Sequence, residues 1–182
     1  MKVLLHACCG PCTAFPLAQL RNEAHDVTGF FFNPNIHPWR EYWRRARTME
    51  QYAGLVSLPL QWDTGYDLAG YLTAALETPG RPERCRRCYH LRLGRTARAA
   101  RAGGFDGFST TLLVSPFQHH QLVQEAGREA AREHGVEFLY QDFRPGYREG
   151  IDMAKQAKLY RQPYCGCIFS ELERFAPGRD HV

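Results

Sequence analysis

The sequence lacks any long hydrophobic run and any recognisable export signal. None of its apolar stretches approaches the roughly 20 residues that a membrane-spanning helix needs. The apolar stretch that follows Lys2 ends at His6, and it is too short for the hydrophobic region of a secretory signal. We therefore expect a soluble, cytoplasmic protein that has no membrane partner.

The sequence also lacks low-complexity linkers, internal repeats and the composition of a disordered chain. Hydrophobic residues make up 44% of its 182 residues and charged residues 23%, which places it among globular proteins. A chain of this length predicts one compact domain. We expect a single α/β domain over residues 1–175 and a C-terminal tail over residues 176–182.

Lysine is scarce, and arginine takes its place. The chain has a net charge of +4, and only three of its 23 basic residues are lysine, at positions 2, 155 and 158. The planar arginine side chain binds phosphate through two donors and stacks on nucleic-acid bases, which lysine does poorly. A GC-rich genome would also favour arginine codons, so composition leaves nucleic-acid binding and codon bias equally open.

Isolated cysteines are absent, because all seven fall in three tight groups. The groups are CCGPC with Cys8, Cys9 and Cys12, CRRC with Cys85 and Cys88, and CGC with Cys165 and Cys167. An odd cysteine count without an export signal argues against a disulfide framework. Clustered thiolates are the ligands that soft metal ions and iron–sulfur clusters need, so the pattern predicts a metal site.

Three kinds of site could use these thiols. An iron–sulfur redox site and a structural zinc site each need about four ligands, and zinc could take CRRC and CGC while leaving CCGPC unused. Cys9-Gly-Pro-Cys12 also resembles the dithiol motif of thioredoxin, although four more clustered cysteines favour a metal. Because Cys8 and Cys9 are adjacent, we expect their side chains to point in different directions and not to share one metal atom.

The predicted elements alternate between strands and helices. Runs of β-branched and aromatic residues predict strands at residues 2–7, 26–33, 55–62, 107–111 and 136–140. Helical patterns follow, from residue 13 and at 38–52, 66–76, 85–102, 118–134, 146–159 and 168–175. This order predicts an open parallel sheet with helices on both faces. We expect the three cysteine groups to converge at one edge of that sheet.

Residues 37–47, HPWREYWRRAR, combine arginines with aromatic side chains. Arginines interleaved with aromatic rings are typical of surfaces that hold unstacked RNA bases. The alternative is an amphipathic helix, because the spacing of the rings also fits a helix face that packs in the core. In that interpretation the core face carries Trp39, Tyr42, Trp43 and Ala46, and the solvent face carries Arg40, Arg44 and Arg47.

Several polar residues near the predicted loops are candidate site residues. Four arginines surround the CRRC motif, where they could stabilise thiolates or guide an anionic substrate: Arg81, Arg84, Arg86 and Arg87. The segment Ser109, Thr110 and Thr111 could bind phosphate or could simply be strand residues. Asp63 follows the third predicted strand, where active-site carboxylates often lie and where capping carboxylates also occur.

Five ordered blocks of the sequence resemble one protein family. The blocks are LLHACCGPC, FFFNPNIHPWREYWRR, CRRCYHLRL, GFSTTLLVSPFQ and YRQPYCGCIFSELER, and together they contain every cysteine. Over residues 3–175 they resemble the QueH family of epoxyqueuosine reductases. The resemblance implies a HUP-like α/β fold, also called adenine nucleotide alpha hydrolase-like.

The resemblance also implies an activity and a set of cofactors. Members of this family reduce the epoxide of epoxyqueuosine at the wobble position of tRNA to give queuosine, the last step of queuosine biosynthesis. They carry an iron–sulfur cluster, a second metal centre is suspected beside it, and they use no cobalamin. We therefore expect a 4Fe-4S cluster, a second iron or other divalent metal, and tRNA and an electron donor as partners. The alternative function is a zinc-stabilised RNA-binding module without redox activity.

Carried onto this chain, the resemblance gives a set of expected site residues. The ligand candidates are Cys8, Cys9, Cys12, Cys85, Cys88, Cys165 and Cys167. Some relatives carry an acidic residue in place of Cys12, which favours Cys12 at the second metal. The expected catalytic residues are Cys12, Asp63 and Tyr89, with Tyr164 as a further proton donor. The expected substrate-binding residues are Asn33, Asn35, Arg40, Arg44, Arg45, Arg86, Arg87, Ser109, Thr110 and Thr111.

Overall fold

A computed structural model describes residues 1–176, so the expected tail lies outside the described residues apart from Ala176. The described part of the chain contains one sheet of five parallel strands in the order β3-β2-β1-β4-β5. The strands are β1 (Lys2–His6), β2 (Asp26–Phe31), β3 (Leu60–Trp62), β4 (Gly107–Thr110) and β5 (Glu137–Phe138). Because β1 has a strand on each side and helices above and below, its residues Val3, Leu4 and Leu5 are fully buried.

Seven helices and two short 3₁₀ turns surround the sheet. The helices are α1 (Gly10–Asn22), α2 (Trp39–Leu55), α3 (Leu68–Glu77), α4 (Glu83–Ala102), α5 (His120–His134), α6 (Tyr147–Gln156) and α7 (Ile168–Phe175). Helices α1, α2 and α6 pack together on one face of the sheet, and α4 and α5 pack together on the other. The predicted open parallel sheet with helices on both faces is therefore confirmed.

Several element boundaries differ from the sequence prediction by a few residues, and the differences at α1 and β3 matter most. Helix α1 begins at Gly10 instead of residue 13, because Pro11 lies in its first turn, where a missing backbone N–H costs nothing. Cys9 is therefore the residue that caps the helix, and Cys12 lies in its first turn. Strand β3 is shorter than predicted, because α2 continues to Leu55 and buries Met49 and Tyr52.

The strand order places a crevice between β1 and β4. The chain leaves β1 towards β2 and β3, and it returns to the other side of β1 to form β4. His6, the last residue of β1, pairs with Phe30 of β2 and with Thr110 of β4, so these strands end level with one another. Ligands of open α/β sheets bind in the crevice outside the strand ends at such a reversal point. The segments that follow β1 and β4 therefore face a binding crevice.

Within residues 1–176, no helix combines the length and the apolar character needed to cross a membrane.

Candidate metal centre

A cavity of about 450 Å³ opens at the carboxyl edge of the sheet. Its wall contains Cys8 and Cys12 from the β1–α1 junction and Cys165 from the segment before α7. Arg92 of α4 and Thr111, which follows β4, also line it. Thiols from both ends of the chain therefore share one cavity at the crevice that the topology creates.

The first thiol group consists of Cys8, Cys9 and Cys12. Their three sulfur atoms all lie within 4.8 Å of one another, and the Sγ atoms of Cys8 and Cys9 are 3.8 Å apart. The expectation that Cys8 and Cys9 point in different directions is wrong. The chain bends at Cys8 and enters α1 directly after Cys9, so both side chains turn to the same side.

The first thiol group has the geometry of a metal site. Sulfur atoms bound at about 2.3 Å to one tetrahedral metal lie about 3.8 Å apart, which matches the Cys8–Cys9 separation. Three protein ligands leave a fourth position open, as in catalytic metal sites. The side chain of Gln162 donates to the Cys12 sulfur over 3.1 Å, and its own carbonyl oxygen is buried without a partner. The residues present therefore fit one metal ion.

The three thiols of this group ionise unequally. The pKa of Cys8 is lowered well below its usual value, because the Cys12 and Cys9 thiols donate to its sulfur and Arg92 and Thr111 add to the effect. Burial raises the pKa of Cys9, and the Cys8 thiolate raises that of Cys12. One thiolate thus forms readily here, and a bound cation would be needed to ionise the other two.

The second thiol group consists of Cys85, Cys88, Cys165 and Cys167. Cys85 and Cys88 lie one turn apart at the start of α4, and Cys167 caps α7. Cys88 and Cys167 are buried together against Tyr71 and Ala75 of α3. Burial raises the pKa of Cys88 to about 12, and the nearby Cys165 and Cys167 contribute to the increase. Thiols from two distant segments therefore lie near one another, while among the described residues only Cys8, Cys9 and Cys12 have ligand atoms close enough for one metal ion.

Arg45 holds the segment that carries Cys165 and Cys167. Its guanidinium donates to the backbone oxygens of Cys165 and Tyr164 over 2.9 and 3.0 Å, and to Glu41 over 2.7 Å. Gly166 has a φ of +133°, and a Cβ there would lie 3.1 Å from the Arg45 Nη1 atom. The loop therefore has a glycine where a side chain would displace the arginine that fixes it.

Arg92 is a buried cation between the two thiol groups. Its Nε donates to His6 Nε2 over 3.3 Å, and its Nη2 donates to Asn33 Oδ1 over 2.8 Å. Burial and the charge of Arg92 lower the pKa of His6 to about 3, so the imidazole is neutral and can accept this hydrogen bond. In residues 1–176 no carboxylate lies within 4.0 Å of the Arg92 guanidinium. A fully buried arginine without an acidic partner needs another source of negative charge, and the thiols supply it.

The expected asparagine and hydroxyl residues are mostly engaged within the fold. Asn33 and Asn35 are buried, and Asn33 donates to the Ala7 backbone oxygen. Ser109 donates to the Leu139 backbone oxygen, and Thr110 contacts His6. Thr111 is the member of this set that lines the cavity, where its hydroxyl lies 3.5 Å from the Cys8 sulfur.

The expected arginines divide into three kinds. Arg40 and Arg44 are exposed on α2, where Arg44 lies 4.8 Å from the centre of the Tyr160 ring. Arg45 is buried with its donors occupied, which places it inside the fold and not on a surface that phosphate can reach. Arg86 and Arg87 of α4 form ion pairs with Glu125 and Glu77.

The helix α2 is only partly the amphipathic helix of the sequence prediction. Tyr42 and Ala46 are buried and Arg40, Arg44 and Arg47 are exposed, as that interpretation expects. Placing Trp39 and Trp43 in the core is wrong, because the two side chains are 52% and 54% exposed. The buried positions on this helix are occupied instead by Arg45 and Glu41, which form an ion pair with each other.

The other two expected catalytic residues lie apart from the cavity wall. Asp63 pairs with Arg95 over 2.5 Å in a separate groove beside β3. Tyr89 is buried, and its hydroxyl donates to Gln118 Oε1 over 2.7 Å. Gln118 lines the cavity and donates to the Cys165 sulfur over 3.4 Å, so Tyr89 contacts the site through this side chain.

Sequence reasoning missed three residues that contact the thiols, Arg92, Gln118 and Gln162, and it missed Tyr147, which lines the cavity. Of these residues, only Arg92 could have been predicted from the sequence. It lies seven residues after Cys85 and four after Cys88, which places it on the same face of a helix. The two glutamines and Tyr147 reach the cavity from separate parts of the chain, which no spacing reveals.

Comparisons with known proteins identify the family of this chain. Residues 3–173 match the sequence profile of a family described as "Epoxyqueuosine reductase QueH". A protein of that name from Dehalococcoides mccartyi is 38% identical over 96% of this chain and 94% of its own length. A second, from Thermotoga maritima, is 37% identical over 94% of this chain and 91% of its own length.

A solved structure supports the fold. It is described as a predicted subunit of a tRNA methyltransferase from Methanocaldococcus jannaschii, and it matches with a TM-score of 0.60 over 85% of this chain and 75% of its own. At 9% sequence identity this similarity concerns the fold alone, and it agrees with the observed α/β architecture. From the profile and the two relatives, which extend over nearly the whole chain, we conclude that this protein belongs to the epoxyqueuosine reductase QueH family.

Proposed function

We propose that this protein reduces the epoxide of epoxyqueuosine in tRNA to the alkene of queuosine. The observation that carries the proposal is one cavity of about 450 Å³ whose wall contains Cys8 and Cys12 of the first thiol group, Cys165 of the second and the buried Arg92. A cavity of that size accommodates a modified base that has been turned out of its RNA strand. The substrate is the one in the name of the relatives, and tRNA modification places the protein in the cytoplasm.

The reaction needs electrons and protons in equal number. Removing the epoxide oxygen breaks both of its C–O bonds, consumes two electrons and two protons, and gives the alkene and one water molecule. Two thiols could supply two electrons by forming a disulfide, and an external electron donor would then have to reduce it before the next turnover. We assign the thiols to a redox cofactor instead, because Cys8, Cys9 and Cys12 have the geometry of a metal site. No cobalamin enters this proposal, because the resemblance to the family implies a reductase that does not use it.

We assign the second thiol group to a 4Fe-4S cluster and the first thiol group to a second iron or another divalent metal. The four thiols Cys85, Cys88, Cys165 and Cys167 provide the usual ligand number of such a cluster. The three sulfurs of Cys8, Cys9 and Cys12 leave an open position towards the cavity. When bound, these groups supply electrons one at a time and a Lewis acid for the epoxide oxygen.

Arg92 supplies the counter-charge of this centre. Thiolate-rich sites carry negative charge, and the Arg92 guanidinium is buried beside them without a carboxylate partner among the described residues. His6 and Asn33 fix its orientation by accepting two of its N–H groups. A fixed positive charge in this position stabilises the more reduced, more negative state of the centre.

Side chains of the cavity wall hold the protons that the reaction needs. Burial raises the pKa of Tyr147, and the neighbouring Cys12 adds to the increase, so its phenol remains protonated at neutral pH. We place proton delivery on Tyr147, which lines the cavity, while Cys12 is a thiolate ligand of the metal in the first thiol group. Tyr89 positions Gln118, and Asp63 lies in a groove that the proposed substrate base does not enter.

Arginines near the cavity mouth bind the RNA backbone in this proposal. Arg81 and Arg174 line the cavity, and Arg40 and Arg44 are exposed on the neighbouring helix α2. Arg44 packs on Tyr160, which lies two residues before the cavity residue Gln162. Positive charge thus extends from the cavity along α2, as a polyanionic substrate requires.

One assay tests the function. Protein that is purified and loaded without oxygen is mixed with dithionite and tRNA containing epoxyqueuosine, and the digested nucleosides are analysed by mass spectrometry. We expect the modified nucleoside to lose the mass of one oxygen atom. An unchanged nucleoside with fully loaded protein would contradict the proposal. A colourless protein that binds tRNA and contains only zinc would instead support the zinc-stabilised RNA-binding module.

A further inference from the structure

All three tryptophans of the chain are exposed, and they rest on adjoining core rings, because Tyr42 beneath Trp39 contacts Phe31 beneath Trp62 at 5.7 Å. Trp39, Trp43 and Trp62 are 52%, 54% and 40% exposed, and we call them together the tryptophan surface. Tryptophan is a large apolar residue that proteins usually cover, so three exposed copies in one place indicate a binding surface. The reaction at the cavity does not itself use these side chains.

The tryptophan surface is rigid. The Trp39 and Trp43 rings are nearly parallel, with centres 6.2 Å apart and planes at 16°. Trp39 rests on the buried Tyr42 ring at 5.1 Å, and Trp62 rests on the buried Phe31 ring at 5.0 Å. The surface is therefore preorganised, and a flat partner would bind it without ordering mobile side chains.

The tryptophan surface lies beside the thiol cavity. Trp62 ends β3, and the register places Gln61 level with Phe30 of β2 and His6 of β1. Two strand spacings separate β3 from β1, which is about 10 Å. On the other side, the Tyr164 hydroxyl of the cavity wall donates to the backbone oxygen of His37, two residues before Trp39. A single extended ligand could contact both places.

Positive charge surrounds the three rings. Arg40, Arg44 and Arg47 are exposed on the same helix as Trp39 and Trp43. Arg98 lines the groove that also contains Trp62, and the Arg95 in that groove is paired with Asp63. Exposed aromatic rings among arginines favour a ligand that offers flat π faces joined by phosphates, which is an unstacked RNA segment.

We propose that the tryptophan surface stacks the unpaired nucleotides that flank the modified base while that base occupies the cavity. This inference rests on the proposed function, because it assumes that tRNA is the substrate. Stacking on the tryptophans would hold the loop open and compensate for the stacking that the turned-out base loses. The surface is then a determinant of substrate binding and takes no part in the chemical step.

The test uses the double variant Trp39→Ala/Trp43→Ala and the single variant Trp62→Ala. Dithionite serves as the reductant, so that no protein electron donor takes part. We expect the KM for tRNA to rise about tenfold for each lost stacking contact, while kcat and the iron and sulfide contents stay unchanged. Trp39→Phe/Trp43→Phe keeps two flat rings and should restore most of the binding.

Leu55→Ala is the matched control. Leu55 is 62% exposed on the same helix, about 24 Å from Trp39 along its axis, and its removal should leave KM unchanged. If wild-type protein reduces the tRNA and the tryptophan variants keep its KM, the stacking proposal is overturned and the proposed function stands. If loaded wild-type protein does not reduce the tRNA, the proposed function fails first. A rise in KM that Leu55→Ala reproduces also overturns the stacking proposal.

Discussion

The two thiol groups differ in how the chain builds them. The first comes from five consecutive residues, 8–12, at one junction between a strand and a helix. The second joins the start of α4 to a segment almost 80 residues later, and it depends on Arg45 to hold that segment in place. Local geometry is sufficient for the first group, whereas the second exists only in the completed fold.

This difference teaches where each group is vulnerable. Changes that disturb the first group act mainly on its own residues or on the helix start, because distant residues add only single contacts, such as the Thr111 hydroxyl that accepts from the Cys8 N–H over 3.3 Å. Changes that disturb the second group include residues that never touch a metal, such as Arg45 and Glu41. The following predictions test that contrast, and the largest effect comes first.

Removing one cysteine from each group should have unequal consequences. Cys165→Ala takes a ligand from the second group, and we expect the loss of nearly all sulfide and most iron after anaerobic reconstitution. Cys9→Ala should keep the sulfide and lose only the metal of the first group. Iron and sulfide analysis distinguishes the two results, because only a cluster contains sulfide.

Equal metal and sulfide contents in Cys9→Ala, Cys165→Ala and wild type would contradict the assignment of ligands. Thermal unfolding of the metal-free variants provides the control, since alanine at either position should leave the metal-free fold close to wild type.

Arg45→Met should dissociate the second group while leaving the first intact. The change leaves the Glu41 carboxylate buried without its cation, and it frees the backbone oxygens of Tyr164 and Cys165. We expect a loss of about 3 kcal/mol in the free energy of unfolding, measured in urea, together with low sulfide content.

The variant Glu41→Gln/Arg45→Met separates the two effects of that change. It removes the unpaired carboxylate, so stability should partly return while sulfide content stays low. Full sulfide content in Arg45→Met would show that the loop does not need this anchor.

Arg92→Gln should shift the potential of the loaded centre without removing a ligand. Loss of a positive charge that lies beside the thiols of both groups makes reduction harder, so the midpoint potential should become more negative by on the order of 100 mV. Arg95→Gln, three residues later on the same helix and paired with Asp63 at the surface, is the control. A redox titration that gives equal potentials for Arg92→Gln and Arg95→Gln would refute the role of Arg92.

Lowering the pH should reduce the free energy of unfolding through His37, which contacts the loop between Cys165 and Cys167. Burial lowers the pKa of His37 to about 4, and its backbone N–H donates to Gly166. Between pH 6.5 and 4 the unfolded chain binds a proton that the folded chain does not, so stability falls as the pH decreases. The contribution of one such group cannot exceed about 1.4 kcal/mol per pH unit.

His37→Gln removes the imidazole that binds this proton. The free energy of unfolding of the variant, measured in urea, should therefore depend less steeply on pH in that range. Parallel pH dependences for the variant and the wild type would contradict the prediction. His25→Gln, at a residue whose ring lies near Glu23 and away from the thiols, is a suitable comparison.

The sequence was sufficient to predict the architecture, for a physical reason. Alternating buried strands and amphipathic helices have few packing solutions, and each strand that follows a helix returns to the same sheet. The convergence of the cysteine motifs followed from that topology, because parallel strands end at one edge. The helix start at Gly10 was missed, because the predicted start lay beyond the Gly-Pro pair that α1 accepts in its first turn.

The side chains that surround the thiols could not be predicted from the sequence in this way. Arg45 and Arg47 look equivalent in the sequence, yet Arg45 is 1% exposed and Arg47 lies in water. Which arginine is buried depends on the loop at residues 164–166, a partner about 120 positions away. The exposure of Trp39 and Trp43 was missed for the opposite reason, because helical spacing fits a core face and a binding face equally well.

The distance along the chain between the halves of the second group has a consequence for biosynthesis. Translation proceeds from the N-terminus, so Cys8 to Cys12 leave the ribosome almost together. Cys88 and Cys167 are 79 positions apart, which corresponds to roughly 4–16 s of elongation. During that interval the nascent polypeptide presents the first pair of ligands without the second. Under the proposed assignment, delivery of an assembled cluster waits until residue 167 has emerged, whereas residues 8–12 could already capture a single metal ion.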